Sequence, residues 1–98
     1  MPYIIETFDK PGHAEVRTRE RGVHLAFLAD HSDLLLACGA KLNDDGTNAG
    51  GGFYVVDLDS REAAERFIEQ DPFSKAGLFE RVTITRWRKA YVAGTCYL

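Results

Sequence analysis

The feature of this sequence that most restricts its fold is the order in which strand-like and helix-like hydrophobic patterns alternate. Residues 3–8, 53–58 and 79–87 are rich in β-branched and aromatic side chains, which is typical of strands. Apolar residues at helical spacing begin after His13 and return after Ser60. The apolar run from Leu34 fits either a last helical turn or a buried strand. The turn residues that follow it favour a strand from Leu35, so the predicted order is β-α-β-β-α-β.

Each predicted helix presents one apolar stripe and has recognisable ends. Ser60 is a good N-cap, and Glu62 places a negative charge in the first turn of the second helix. Asp71 precedes Pro72, and the residue before a proline is disfavoured in a helix, so the second helix ends there. Residues 72–77 then form a loop or a single turn. The stripe of the first helix is Val16, Glu20, Val23, His24, Phe27 and Leu28, and that of the second is Ala63, Ala64, Phe67 and Ile68.

The two middle strands are joined by a segment rich in turn residues. Residues 43–46 read Asn-Asp-Asp-Gly, and these residue types tolerate positive φ. Glycines follow at 50–52, so we expect a long, flexible hairpin loop over residues 43–52, which could serve as a lid. A strand, not a helix N-terminus, follows these glycines, which argues against phosphate binding.

This order of elements predicts a ferredoxin-like α+β fold, with a four-stranded antiparallel sheet and both helices on one face. The other face of the sheet would be bare. A small monomer rarely exposes a wide apolar sheet. A second copy related by a two-fold axis would cover it, so we expect a homodimer.

Length and charge narrow the class of protein. The 98 residues suit one domain spanning 1–98, in which residues 91–98 form an apolar tail. The formal net charge of −3 argues against a general nucleic-acid binder. The basic stretch Arg81 to Lys89 lacks the aromatic pairs of RNA-binding sheets, and it fits an edge strand protected by charge.

The cellular location of the protein is predicted from its cysteines and from the length of its apolar runs. Cys38 and Cys96 have no metal-binding spacing, and we expect two free thiols in a reducing compartment. The N-terminus has no secretory pattern. The longest apolar run is far shorter than the ~20 residues that cross a bilayer. We therefore predict a cytoplasmic protein that binds neither membrane nor metal.

His24 is the first candidate for chemistry, because it lies on the apolar stripe of the first helix. It is either a core histidine held by a hydrogen bond or a general base. A general base needs a carboxylate to orient it. Asp71, at the end of the second helix, is the main candidate, and Asp57 and Asp59 are alternatives.

Two arginines precede His24 on the same helix. Arg17 and Arg21 are one turn apart, and Arg21 is three residues before His24. Either they bind an anionic substrate through their guanidinium groups, or they belong to a solvated helix face beside Glu15 and Glu20.

Several short motifs follow one another between Tyr3 and about Trp87. They are Arg17-x3-Arg21-x2-His24-Leu25, Gly39, Asp44-Asp45-Gly46 with Gly50-Gly51, Glu62-Ala63-Ala64 and Asp71-Pro72-Phe73-x2-Ala76-Gly77. In the order and spacing of these motifs the sequence resembles the YciI-like (YCII-related) family, within the dimeric α+β barrel superfamily.

The resemblance implies a His–Asp active site at His24 and Asp71. Around it we expect Arg17, Arg21, Gly51 and Gly52 to bind the substrate. It implies a small, cofactor-independent enzyme that isomerises a small anionic metabolite or eliminates a group from it. The family often has Gly-Ser where this chain has Gly51-Gly52, so no particular substrate carries over. The alternative is a non-catalytic dimer that binds a small molecule, with the His–Asp pair serving stability.

Overall fold

The computed structural model describes all 98 residues. The main elements follow the predicted order, with a short third helix after the second. A 3-10 turn at Ser32–Leu34 links the first helix to the second strand. The elements are β1 Tyr3–Asp9, α1 Ala14–Asp30, β2 Leu35–Leu42, β3 Asn48–Val56, α2 Arg61–Gln70, α3 Pro72–Lys75, β4 Phe79–Arg86, β5 Tyr91–Val92 and β6 Thr95–Cys96.

The first four strands form one sheet in the order β2-β3-β1-β4, and each neighbouring pair is antiparallel. With helices packed on the sheet, this arrangement confirms the predicted ferredoxin-like α+β fold. The central position of β1 and β3 follows from their sequences, because they contribute the most buried strand residues.

The core lies between the sheet and α2. Alternate residues of a strand point to the same face. Ile5 of β1 therefore shares the helix-facing side with its neighbours across the sheet, Tyr54 of β3 and Ile84 of β4. Phe67 and Ile68 of α2 complete the buried cluster.

The ends of α2 agree with the local chemistry of the sequence. The Ser60 hydroxyl accepts a hydrogen bond from the Ala63 N–H at 3.1 Å, which confirms Ser60 as the N-cap. Asp71 ends the helix with an extended backbone, at φ −61° and ψ 130°, as expected before Pro72.

The apolar stripe predicted for α1 is only partly buried. His24 is buried and Phe27 and Leu28 are partly buried, whereas Val23 is 59% exposed. Adjacent residues in a helix are about 100° apart around its axis, so Val23 lies beside the inward-facing side. Placing Val23 in the core was wrong.

The predicted long, flexible loop was also wrong. The turn between β2 and β3 covers only residues 43–47, and the glycines at 50–52 lie inside β3. Gly51 pairs with Phe8 and Gly52 with Thr7. A Cβ at Gly51 would collide with the Thr7 carbonyl oxygen and the Lys41 side chain. Close packing, and not flexibility, accounts for this glycine, and no lid is present here.

The sheet face away from the helices is less apolar than expected. The Phe8 ring lies between Lys41 Nζ, 3.7 Å from the ring centroid, and Arg81 Cζ, at 3.9 Å. Lys41 Nζ also donates to Glu6 Oε2 at 3.2 Å. Phe53 is 40% exposed on this face. The face is therefore a mixture of charged and aromatic side chains.

The C-terminal tail forms its own small hairpin from β5 and β6. Tyr91, Tyr97 and Leu98 remain exposed. No helix in the chain combines the length and apolar character needed to cross a membrane.

Candidate active site

Asp71 lies at the junction of α2 and α3. It ends α2 and at the same time caps α3, where its Oδ1 accepts a hydrogen bond from the Phe73 N–H at 2.9 Å. Pro72 occupies the first turn of α3, a position where the missing N–H costs nothing. The Asp-Pro pair thus fixes both the backbone and the carboxyl group.

The Asp71 carboxylate is fully buried and accepts three hydrogen bonds. His24 Nδ1 lies 2.9 Å from Oδ1, and the Tyr54 hydroxyl donates to Oδ2 at 2.8 Å. The Phe73 N–H is the third donor. A buried polar group is costly without partners, and this one has partners on both oxygens.

His24 is held by stacking as well as by this hydrogen bond. Its ring lies parallel to that of Phe73, with centroids 4.0 Å apart and an interplanar angle of 16°. Because a carboxylate only accepts, Nδ1 carries the proton, and the neutral ring has its lone pair on Nε2. His24 makes no other side-chain hydrogen bond, and no unpartnered side-chain nitrogen in the protein is buried. Nε2 is therefore accessible from outside.

Tyr54 is the member of this network that sequence reasoning missed. Burial, followed by the neighbouring Asp71 carboxylate, raises the pKa of Tyr54 above its ordinary value, so the phenol remains a donor. The alternation over residues 53–58 places Tyr54 and Val56 on one face, but it does not say which face meets the helices. Only the pairing with Ile5 settles that.

Above Nε2 lies a cleft of about 270 Å³, called here the His24 cleft. Its lining residues come from α1, β2, β3 and α3 and include Arg21, His24, Cys38, Gly52, Tyr54 and Phe73. Cys38 pairs with Tyr54 across β2 and β3. Although Cys38 is exposed as a residue, partial desolvation and then the Asp71 carboxylate raise the pKa of its thiol to about 11.

Arg17 reaches this cleft with its charge already compensated. Its Nε donates to Asp9 Oδ2 at 2.7 Å, and a terminal nitrogen donates to Asp9 Oδ1 at 3.0 Å. The guanidinium carbon also lies 4.7 Å from the centroid of the Phe73 ring. Arg17 therefore supports the ring that stacks on His24.

Arg21 differs from Arg17 in having no acidic partner within 4.0 Å. It is exposed and lines the His24 cleft. Gly52 also lines this cleft, whereas Gly51 does not. The structure thus brings together His24, Asp71, Arg17, Arg21 and Gly52, and it leaves Gly51 outside.

The alternative partners for His24 are placed elsewhere. The carboxylate of Asp59 lies 4.0 Å from the N-terminal amine, and Asp57 lies near the start of the chain and the tail. No group of three or more His, Cys, Asp or Glu side chains is arranged to hold a metal ion.

These features define a small α+β protein with a buried His–Asp pair beneath an open cleft. The chain belongs to the YCII-related domain family, whose model matches residues 1–88. The resemblance inferred from the sequence motifs is therefore confirmed.

Two curated relatives and one solved structure support this membership. The chain is 31% identical to Protein YciI of Escherichia coli O6:H1, strain CFT073, over 93% of this chain and 100% of that protein. Protein YciI of Shigella flexneri matches with the same identity and coverage.

The solved structure is 5-chloro-2-hydroxyhydroquinone dehydrochlorinase (TftG) from Burkholderia phenoliruptrix AC1100, in complex with 2,5-dihydroxybenzoquinone. It is 32% identical to this chain, with a TM-score of 0.82, over 90% of this chain and 94% of TftG.

Proposed function

We propose that this protein is a cofactor-independent enzyme in which His24 is the general acid–base and Asp71 orients it. The observation that carries the proposal is the 2.9 Å contact between His24 Nδ1 and Asp71 Oδ1, with Nε2 left open to the cleft. A carboxylate at Nδ1 fixes the tautomer and stabilises the imidazolium that forms when Nε2 accepts a proton.

The chemistry that follows is proton transfer on a small molecule. Nε2 removes a proton from a hydroxyl or from a carbon next to a carbonyl group. The electron pair left behind either forms a new double bond after reprotonation elsewhere, which is isomerisation, or expels a leaving group, which is elimination. Arg21 is placed to hold the anionic form.

The likeness to TftG favours hydroxylated ring compounds as substrates. In a dehydrochlorination of such a ring, the carbon that bears chlorine first gains a proton while one hydroxyl loses its proton, which gives a keto tautomer. A base then removes the proton of a second hydroxyl, the C–Cl bond breaks and chloride departs with its electron pair. The net change is loss of HCl, and the ring is left as a quinone without any external oxidant. The His24 cleft has the groups for this step, because it combines a base with an uncompensated cation.

The test is chloride release from 5-chloro-2-hydroxyhydroquinone, measured for the wild-type protein and for His24→Asn and Asp71→Asn. General acid–base catalysis contributes about 10²- to 10⁴-fold, and both variants should lose kcat within that range. Arg19→Gln is the matched control, because Arg19 is exposed on α1 and lines neither cleft. Turnover that survives in His24→Asn would contradict the proposal.

A binding module without catalysis is the second candidate. It is favoured by the structural part that Asp71 plays as the cap of α3. In that case no substrate is turned over, and His24→Asn lowers the melting temperature sharply. A melting temperature that stays level or rises in His24→Asn fits a site kept for function.

We also propose that the protein works as a homodimer that binds a small molecule in the cytoplasm. Phe53, 40% exposed on the uncovered face of the sheet, supports the dimer. The two free cysteines suit a reducing compartment.

A further inference from the structure

A second cleft of about 470 Å³ adjoins the His24 cleft and is called here the Lys10 cleft. It lies between the β1–α1 turn, the first half of α1 and the start of β3. Arg17 and Arg21 line both clefts, so the two form one continuous groove along α1. The proposed reaction uses only the His24 end of this groove.

The charges around the Lys10 cleft are strongly unequal. Asp9 is the one acidic residue that lines it, and Arg17 neutralises Asp9 through two hydrogen bonds. Lys10 and Arg21 have no acidic partner within 4.0 Å. The His13 side chain accepts no hydrogen bond from the first N–H groups of α1, so these groups add partial positive charge. Two cations without an acidic partner therefore line one cavity, and the Lys10 ammonium lies on its side nearest Gly77.

The remaining lining is polar and small. Gly12, Thr18, Asn48 and Gly50 contribute to it, and the apolar side chains are few. A lining of this kind gives little hydrophobic binding, so the charge of a ligand, and not its bulk, would be recognised.

The spacing along α1 sets the length of a molecule that could use both clefts. A helix rises about 1.5 Å per residue, so Arg21 lies about 4.5 Å and Ala14 about 15 Å from His24 along the axis. A ring whose hydroxyl meets Nε2 would place the end of a substituent of two or three carbons near Arg21, where the two clefts meet.

We propose that the Lys10 cleft is an anion subsite that binds a carboxylate on a short side chain of the substrate. The placing of a hydroxylated ring at His24 rests on the proposed function. The subsite itself rests on the second cavity and its two unpaired cations. The substrate class is then a hydroxylated ring compound that carries a short carboxylate tail.

The test is direct binding, measured by calorimetry without turnover. Three probes are compared: 3-(2,5-dihydroxyphenyl)propanoate, its primary amide and hydroquinone. We expect the carboxylate to bind about tenfold more tightly than the amide, because charge-assisted hydrogen bonds are about twice as strong as neutral ones. The preference should shrink as salt is raised.

Lys10→Gln should remove most of the preference for the carboxylate and leave the affinity for the amide unchanged. Arg19→Gln removes the same charge from α1 outside both clefts, and it should keep the preference.

Equal binding of carboxylate and amide, equal losses in Lys10→Gln and Arg19→Gln, or no binding of any probe would overturn the subsite, even if chloride release is observed. A carboxylate preference that depends on Lys10 supports the subsite even where the chloride-release assay fails.

Discussion

At the scale of single residues, the orientation of His24 depends on how Asp71 is held. Its carboxylate has no solvent contact and accepts from His24, Tyr54 and the Phe73 N–H. The family motifs pointed to His24 and Asp71. They did not point to Tyr54, because the partner of a strand residue depends on pairing with strands distant in the chain.

Tyr54→Phe should weaken both the fold and the proposed reaction. Loss of the hydroxyl leaves Asp71 Oδ2 buried without its donor, which costs about 1–3 kcal/mol of unfolding free energy. The proposed turnover should fall through poorer orientation of His24. Urea unfolding and chloride release measure the two effects. Tyr3→Phe is the control, because the Tyr3 hydroxyl makes no hydrogen bond within the protein, and a loss as large in this control would refute the assignment.

The raised pKa of Tyr54 predicts a loss of stability in alkali. An unfolded tyrosine ionises near 10.0, whereas burial and Asp71 keep the folded Tyr54 neutral at that pH. The unfolding free energy that Tyr54 contributes is therefore fully present below about pH 10. It is lost as the pH rises further, because only the unfolded chain then releases the tyrosine proton. Wild-type protein should lose more unfolding free energy than Tyr54→Phe between about pH 9 and 11, as measured by urea titration. Equal losses would contradict this.

The two cysteines should differ in reactivity. Desolvation and Asp71 raise the pKa of Cys38 to about 11, whereas a backbone hydrogen bond from Leu98 lowers the pKa of Cys96. Since the thiolate is the nucleophile, iodoacetamide at neutral pH should modify Cys96 first. Peptide mass mapping over time measures the order. Asp71→Asn should speed the modification of Cys38, and faster labelling of Cys38 in the wild type would rule out this ranking.

At the scale of helices and strands, local chemistry predicted some boundaries and missed others. Ser60 and the Asp71-Pro72 pair act through neighbouring residues, so the sequence identified both ends of α2. The glycines of β3 looked like a loop because glycine is common in turns. Gly51 is instead required by the closeness of Thr7 and Lys41, and Gly50 by a positive φ of 79°. Neither cause is visible in a local sequence pattern.

Gly51→Ala tests this explanation within β3. The added methyl group would meet the Thr7 carbonyl oxygen, which cannot move without disturbing the sheet. Overpacking of this kind costs about 1–3 kcal/mol of unfolding free energy. Gly39→Ala is the matched strand control, since nothing lies within 4 Å of a Cβ there, and it should be near neutral. Chemical denaturation of both variants measures the difference in unfolding free energy. Equal stability of Gly51→Ala and Gly39→Ala would exclude close packing as the reason for Gly51.

At the scale of the whole molecule, the order of strand-like and helix-like patterns was sufficient to predict the sheet topology. A β-α-β-β-α-β chain has few ways to form one sheet. The clefts could not be predicted in the same way. Their walls come from α1, β2, β3 and α3, and their shape depends on side chains such as Phe73 and Arg17 that meet only after folding.

The proposed homodimer is tested by light scattering after size-exclusion chromatography. A dimer has twice the chain mass of 11.0 kDa. Phe53→Lys should shift it to the monomer, because a second charge would be buried beside Lys41 on the uncovered face. Val23→Lys, on the exposed side of α1, should leave the mass unchanged. A monomeric wild-type protein would contradict the proposed homodimer.

The double role of Asp71 bears on how this protein would tolerate random mutation. As the cap of α3 and the acceptor of three donors, it is needed by any folded copy, whether or not that copy carries out the proposed reaction. A scan that selects only for expression should therefore reject changes at Asp71 that remove the capping acceptor, such as Asp71→Ala, and accept several at His24. Selection for the reaction should reject both. Position 71 is therefore uninformative about function, and intolerance of change at position 24 would indicate which lineages still use the site.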